Sequence, residues 1–471
     1  MNERLPQRRE WLGLVPVVAG LWWLLAGQGL AWFLWTLVPG LLLIGAGVAL
    51  LLWPGDNKHT HYLALGGLLG GMVSLPAIFV GGLSTAVVGL LLSLLAYLIA
   101  GYCALRTAPE TDAPRPPMTA SVYAKTALDE ALLGYFLFAA RLPDGAAAQR
   151  VLEEAARAES VLRERGWLEH PELFHATPEA PADASLGDAR SFHREFQRLR
   201  FASGFAPQPV LPGVERWSAA LRNRECRAWL LRQDEPGRPW LLCIHGYRMG
   251  WPWVDFHLFP PATLHDELGL NLLLPVLPLH GPRRRGWHSG DGYLDGDPID
   301  LLHAQSQALW DLRRCLAWIR AQDPGARIGV LGYSLGGYNA ALLAAYDGGL
   351  DFVVAGIPVV DFAGLLWRHL PAAHRQYFAA HGFDEARYRE LLHVISPLAR
   401  VPQLAPERRH VFAGSADTVA PPAQALALAR HWGTEVRWYP GGHLSFRGEP
   451  AVESCIREAM EGAGWRLGEA V

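Results

Sequence analysis

Lysine is nearly missing from this chain of 471 residues: Lys58 and Lys125 stand alone among 42 basic side chains, the rest being arginine. Nothing in a fold demands that bias, and it reads as the coding habit of a GC-rich bacterial genome. Charge of either sign is scarce. Charged residues make up 18% and apolar residues 51%, against about a quarter charged in ordinary soluble domains, so disorder over most of the chain is excluded and a wholly soluble protein is disfavoured. The 42 basic residues face 45 acidic ones for a net charge of -3. No basic field exists to hold a polyanion, and no nucleic-acid partner is expected. Cysteine is sparse too. Cys103, Cys226, Cys243, Cys315 and Cys455 are odd in number, scattered and without C-x-x-C spacing, which signals neither a disulfide framework nor a zinc site and fits a reducing compartment.

The missing charge is concentrated. Residues 11–53 and 62–105 carry none, and each stretch is about twice the ~20 residues needed to cross a bilayer core. Each block therefore predicts a helical hairpin, giving four spans at about 11–26, 30–53, 62–80 and 83–105 within a transmembrane region 1–106. The turns expected are Gly27-Gln28-Gly29, with Pro39-Gly40 competing, and Gly81-Gly82. Both blocks exceed the apolar core of a signal peptide. Arg4, Arg8 and Arg9 precede the first span, Lys58 lies between the hairpins, and Arg106, Arg115 and Lys125 follow the last. By the positive-inside rule both termini lie in the cytoplasm, the location expected being a multi-pass inner-membrane protein with its remaining chain on the cytoplasmic side. No Asp, Glu, Lys or Arg interrupts the spans, so the region reads as an anchor in the lipid bilayer rather than a transport path.

Residues 107–199 read as a tether and a helical accessory segment. The Pro- and Thr-rich stretch 107–119 is an exposed linker. Helical periodicity follows in Val122 to Arg141, unusually apolar and suited to packing on the next domain or lying on a membrane surface, and in Ala146 to Arg165, an ordinary surface helix. Residues 168–190 read as a long loop.

From about residue 200 the pattern becomes apolar runs of strand length alternating with helical stretches, which predicts a mostly parallel sheet covered by helices on both faces. The runs are Ala228–Leu231, Trp240–Ile244, Leu270–Leu274, Ile328–Leu331, Phe352–Ala355, His410–Ala413 and Glu435–Tyr439. In such sheets chemistry sits beyond the carboxyl ends of the strands. There Ile328–Leu331 runs into Gly332-Tyr333-Ser334-Leu335-Gly336 and a helix, the G-x-S-x-G pattern in a strand, turn, helix context. A serine hydroxyl attacks only when a base takes its proton and a carboxylate orients that base. Asp417 follows the strand His410–Ala413 and His443 follows Glu435–Tyr439, so Ser334, Asp417 and His443 are the candidate nucleophile, acid and base. Asp361 is the alternative acid. Two amide donors must meet the oxyanion: the N–H of Leu335 after the nucleophile, and the N–H of Tyr247 in the loop His245-Gly246-Tyr247 after Trp240–Ile244. His245 is expected to be structural.

On these residues, His245-Gly246, Gly332-Tyr333-Ser334-Leu335-Gly336, Asp417 and His443, the segment 200–471 resembles the α/β-hydrolase superfamily of serine hydrolases. The resemblance implies an α/β-hydrolase fold with a central sheet of about eight strands, acyl-serine chemistry, and no metal or organic cofactor. The insertion at about 361–398, with Leu365, Leu366, Trp367, Leu370, Tyr377 and Phe378, would then be a helical lid facing an acyl chain. In the loop Pro278 to Asp300, the triplet Arg283-Arg284-Arg285 reads as solvated or as a holder of phosphate or carboxylate, and Asp291, Asp295, Asp297 and Asp300 lack a Ca²⁺-loop spacing. The function expected is that of a membrane-anchored serine hydrolase acting on a carboxylic ester, possibly of a lipid, with a thioesterase or peptidase on the same residues, or a silent binding scaffold, as the alternatives.

Overall fold

The computed structural model describes residues 10–53 and 58–466. Arg4, Arg8 and Arg9, on which the expected orientation partly rests, lie outside the described residues. By internal contacts the chain divides into two compact units, one of Met1–Ala139, Ala413–Ala423 and Trp438–Glu449, the other of Ala140–Phe412, Gln424–Arg437 and Pro450–Val471.

The first unit is built on α1 (Leu14–Leu25), α2 (Leu30–Leu52), α3 (Lys58–Gly81) and α4 (Leu83–Thr107). Three of them, α2, α3 and α4, are long and apolar enough to cross a membrane, while the apolar stretch Trp11–Leu25 is shorter. Of the two turns offered in the first block, the one before Leu30 is used, and Pro39 is carried inside α2. Polar groups in this apolar core find partners within it, as a water-poor surrounding requires: Trp23 Nε1 donates to Ser93 Oγ at 2.8 Å and Trp32 Nε1 to the Trp23 carbonyl at 2.8 Å. The outer surface is apolar, with Leu25, Leu75 and Phe79 exposed. Next comes α5 (Ala120–Ala139), which packs on α3 and α4. Its buried face mixes apolar residues such as Val122 and Leu133 with two acids. Asp129 and Glu130 are buried, whereas Leu128, Tyr135 and Phe138 are exposed.

The second unit opens with α6 (Gly145–Glu164) and carries most of a nine-stranded sheet: β1 (Ser185–Ser191), β2 (Arg194–Ala202), β3 (Glu225–Leu231), β4 (Trp240–Ile244), β5 (Asn271–Pro275), β6 (Ile328–Tyr333), β7 (Phe352–Gly356), β8 (Arg409–Gly414) and β9 (Val436–Tyr439). Its order is β1-β2-β3-β5-β4-β6-β7-β8-β9. The first three strands and the β3–β5 pair are antiparallel, and from β5 through β4, β6 and β7 to β8 the pairing is parallel. Central strands such as Trp240–Ile244 and Phe352–Gly356 are buried at every position, as expected where helices cover both faces. The helices that follow α6 in chain order are α7 (Val214–Ser218), α8 (Pro252–Leu258), α9 (Pro298–Gln322), α10 (Leu335–Tyr346), α11 (Phe362–His369), α12 (Ala372–Ala380), α13 (Glu385–Leu391), α14 (Pro422–Trp432) and α15 (Pro450–Gly462), with α10 and α15 packed on the central strands. This is the α/β-hydrolase fold behind an apolar helical region.

One expectation needs correction. The sheet begins at Ser185, inside the predicted loop 168–190 and ahead of residue 200, because β1 and β2 form an antiparallel edge with little apolar pattern. The insertion 361–398 is three helices, α11 to α13, in which Leu370 and Phe378 are buried, Leu365, Leu366 and Trp367 half-buried and Tyr377 exposed. It is tied to α6 by ion pairs from Arg163 to Glu390 at 2.8 Å and from Arg387 to Glu159 at 2.5 Å.

Candidate active site

Ser334 sits between β6 and α10 with φ 58° and ψ -115°, a conformation that a side chain rarely adopts and that costs energy the surroundings must offset. Those surroundings are backbone. The Ser334 N–H donates to the Gly356 carbonyl at the end of β7 (2.9 Å), and its own carbonyl accepts from Tyr338 N as the first bond of α10 (3.0 Å). A Cβ at Gly332 would overlap the Gly336 carbonyl, and one at Gly336 would overlap the carbonyls of Ile244 and His245. Strand and helix therefore meet so closely that only glycine fits at either flank. The hydroxyl is left at the tip of the turn. Leu335 opens α10, so its N–H has no acceptor within the helix.

The loop after β4 lies against this turn. A Cβ at Gly246 would stand 3.5 Å from the Tyr333 carbonyl and 3.7 Å from Ser334 Cβ, which puts His245-Gly246-Tyr247 beside the serine. The His245 Nε2 accepts from Leu277 N (3.1 Å), so its Nδ1–H donates to the Gly246 carbonyl (2.8 Å). Burial pushes this imidazole down to about 4. A neutral ring with both nitrogens engaged props the loop and offers no free lone pair to act as a base. The Tyr247 ring meets His280 edge-on at 5.8 Å, with the Arg248 guanidinium over its face. Beneath the loop, Asp255 accepts from Gly250 N (3.0 Å) and Trp229 Nε1 (2.9 Å), a support that the sequence does not single out.

In the first unit, Asp417 and His443 are together and buried. His443 Nδ1 and Asp417 Oδ2 are 2.7 Å apart. The other oxygen, Oδ1, accepts from Val419 N (2.9 Å) and Ala420 N (2.8 Å), so the carboxylate is fixed before it meets the ring. With Nδ1–H engaged, Nε2 is the lone pair that remains for a proton. Burial disfavours the charged imidazole, but the Asp417 carboxylate outweighs it, with Asp129 adding to the pull, and the His443 pKa stands above its ordinary 6.5.

Sequence reasoning missed Asp129 and Glu130. Asp129 Oδ2 accepts from the His443 N–H (2.5 Å) and Oδ1 from the Leu444 N–H (3.1 Å). Glu130 Oε2 lies 2.6 Å from His61 Nδ1 and accepts from Thr60 Oγ1 (2.5 Å). The one local signal was two adjacent acids on an otherwise apolar helix.

Other candidates are placed elsewhere. Asp361 caps α11, its Oδ1 accepting from Gly364 N (3.1 Å) and its Oδ2 paired with Arg389 (2.7 Å), so its oxygens serve the insertion. Of the arginine triplet, Arg283 is buried against Asp311 (2.7 Å), Arg284 lies over Trp251 and Arg285 faces Asp300 (3.5 Å). The triplet is neither wholly solvated nor gathered on one ligand. Asp297 caps α9, while Asp291 and Asp300 pair with Arg248 and Arg216, each at 2.7 Å. Among the described residues no group of His, Cys, Asp and Glu is arranged to hold a metal ion.

No family model matches the chain. Uncharacterized protein MT2702 of Mycobacterium tuberculosis (strain CDC 1551 / Oshkosh) is 40% identical over 323 residues, spanning 67% of this chain and 76% of its own. The chain belongs to its family. A second member, uncharacterized protein Rv2627c of strain ATCC 25618 / H37Rv, is 39% identical over the same 323 residues, with the same shares of 67% and 76%. Among solved structures, acetyl xylan esterase 1 from Thermoanaerobacterium sp. JW/SL YS485 is similar at 18% identity and a TM-score of 0.44, over 63% of this chain and 92% of its own. Est1E from Butyrivibrio proteoclasticus with bound ferulic acid is similar at 14% identity and a TM-score of 0.36, over 51% and 95%. These scores carry no functional argument, and the fold stands on the sheet order and the serine turn.

Proposed function

We propose that this member of the family is a membrane-anchored serine hydrolase that cleaves carboxylic esters. The observation that carries the reading is the serine held at positive φ on a strand-to-helix turn, in a chain that also pairs a buried histidine with a buried aspartate. In this reading His443 Nε2 takes the proton of Ser334 Oγ as that oxygen bonds to the acyl carbon. The carbonyl oxygen, now an anion, accepts from the N–H groups of Leu335 and Tyr247. Collapse breaks the ester C–O bond, and His443 returns its proton to the leaving alcohol. Water, deprotonated by the same ring, then releases the acid and restores Ser334. Asp417 keeps the proton on Nδ1 throughout.

The three long apolar helices and their apolar outer surface support anchoring in a bilayer; with the shorter apolar stretch Trp11–Leu25 as a fourth crossing the number of spans is even, and both termini fall on the cytoplasmic side, as the arginines of the sequence suggest. Anchoring beside lipid favours lipid esters as substrates, and α11 to α13 form the lid in this reading. A fluorophosphonate probe should label the wild-type chain and leave Ser334→Ala unlabelled. On acetate, butyrate, octanoate and palmitate esters, kcat/KM should rise severalfold per two carbons, because each methylene buried contributes up to ~0.8 kcal/mol, and Trp367→Ala should flatten that rise. A maximum at acetate would leave ester hydrolysis standing and remove the lipid substrate.

A further inference from the structure

Two carboxylates buried side by side on one helix demand a reason, since a buried carboxylate is costly unless its oxygens are engaged. Asp129 and Glu130 are adjacent on α5, at 0% and 2% exposure. They point to different partners. Glu130 engages Thr60 and His61 in the first turn of α3. Among the described residues Asp129 engages no side chain by hydrogen bond. Its two oxygens accept from consecutive backbone N–H groups, those of His443 and Leu444, where a short helical turn begins after Gly442. A carboxylate bridging two successive amides fixes the direction of the backbone between them, and with it the direction in which the His443 ring leaves the chain. The fit is tight: a Cβ at Gly442 would run into the Asp129 carboxylate. One turn earlier on the same helix, Lys125 pairs with Glu449 at 2.7 Å, holding the far end of the same segment.

We propose that Asp129 is a positioning residue for the hydrolytic reaction: carried on α5, it holds the backbone of His443 so that the ring meets Asp417 on one side and presents Nε2 on the other. Glu130 anchors the same helix to α3, so the apolar N-terminal helices are part of the frame of the acid–base pair and not only an attachment to lipid. The inference rests on the serine-hydrolase reading above and deepens it.

The test uses the full chain in detergent micelles, with active serines counted by a stoichiometric fluorophosphonate and turnover measured on a butyrate ester. Asp129→Asn keeps the shape but turns an NH₂ toward one of the two amides. It should lower kcat per titrated serine about tenfold to a hundredfold, the cost of a sub-ångström to ångström misplacement of a reacting group, while KM moves less than about twofold. Gly442→Ala, which pushes the same contact from the other side, should give the same signature. Unchanged kcat per titrated serine in both variants would overturn the proposal, even where fewer serines titrate, because that is the mark of a merely structural role. Where either variant fails to fold, hydrogen exchange on the wild-type chain decides: the His443 and Leu444 amides should be protected as α5 is, and exchange at the rate of an exposed loop would overturn the proposal. A wild-type chain that no fluorophosphonate labels, or an active Ser334→Ala, would instead bring down the serine-hydrolase reading itself.

Discussion

Ser334 and His443 reach their places by different means. The serine turn is held by backbone against backbone: β6 and α10 close on each other across Gly332 and Gly336, and the Gly356 carbonyl ties down the serine amide. The histidine segment is held by carboxylates, Asp417 on the ring and Asp129 on the main chain. Steric packing tolerates no added atom but is indifferent to charge. Carboxylate anchors, being side chains, can give way to an added atom without unfolding the segment, but they answer to charge and pH. The two therefore fail differently.

The largest effect should come from the chemistry common to both. Ser334→Ala is expected to lower kcat by about a million-fold, and His443→Ala by a similar factor, with the double variant scarcely worse because the groups act as one unit; steady-state kinetics on a short ester check this. Next is Gly336→Ala. Its methyl would overlap the Ile244 carbonyl, which should cost about 3 kcal/mol or more and appear as a large fall in Tm. Gly442→Ala meets a side chain instead of a strand, so its Tm should fall less while its turnover falls more.

The pH dependence should separate the two regions by sign. Near the serine turn, burial holds His245 at about 4, below its unfolded 6.5, so its contribution to stability is complete above 6.5 and is lost as pH falls toward 4. In the other region, His443 is raised above 6.5, and burial and the Asp417 charge raise Asp129 above its usual carboxyl range. Raised groups bind protons more tightly when folded, so their contribution fades as pH rises through the folded pKa values. Hydrogen exchange should find peptides over 244–250 loosening first in acid and those over 438–449 first in base. The acid limb of kcat/KM, which reports the free His443 ring, should lie above pH 6.5. The smallest effect is expected at Asp361: Asp361→Ala removes the cap of α11 and should cost about 1 kcal/mol in stability, read from Tm, with little change in turnover.

Much of this was legible in the sequence because its strands are dense apolar runs and its serine turn is marked by glycines. Trp240–Ile244 has the bounds predicted for it, and Asp417 and His443 follow the strands that were to carry them. The edge was not legible. In β2 the buried residues are Phe196, Leu199 and Phe201, an uneven spacing among Arg198, Arg200 and Glu195 that breaks strict alternation. Asp129 was less legible still. Its partners lie 314 and 315 residues away, and no local pattern tells a carboxylate facing solvent from one facing a distant backbone.

That separation also sets a clock. On a ribosome working at ~5–20 residues per second, roughly 15–60 s pass between the emergence of Asp129 and that of His443. During that interval the Asp129 carboxylate has no amides to accept from, and sealing it dry would be costly. The final seating of α5 is thus coupled to completion of the chain. Under the proposed mechanism, a nascent or prematurely ended polypeptide, even with Ser334 already in its turn, lacks the His443 base and should not turn over.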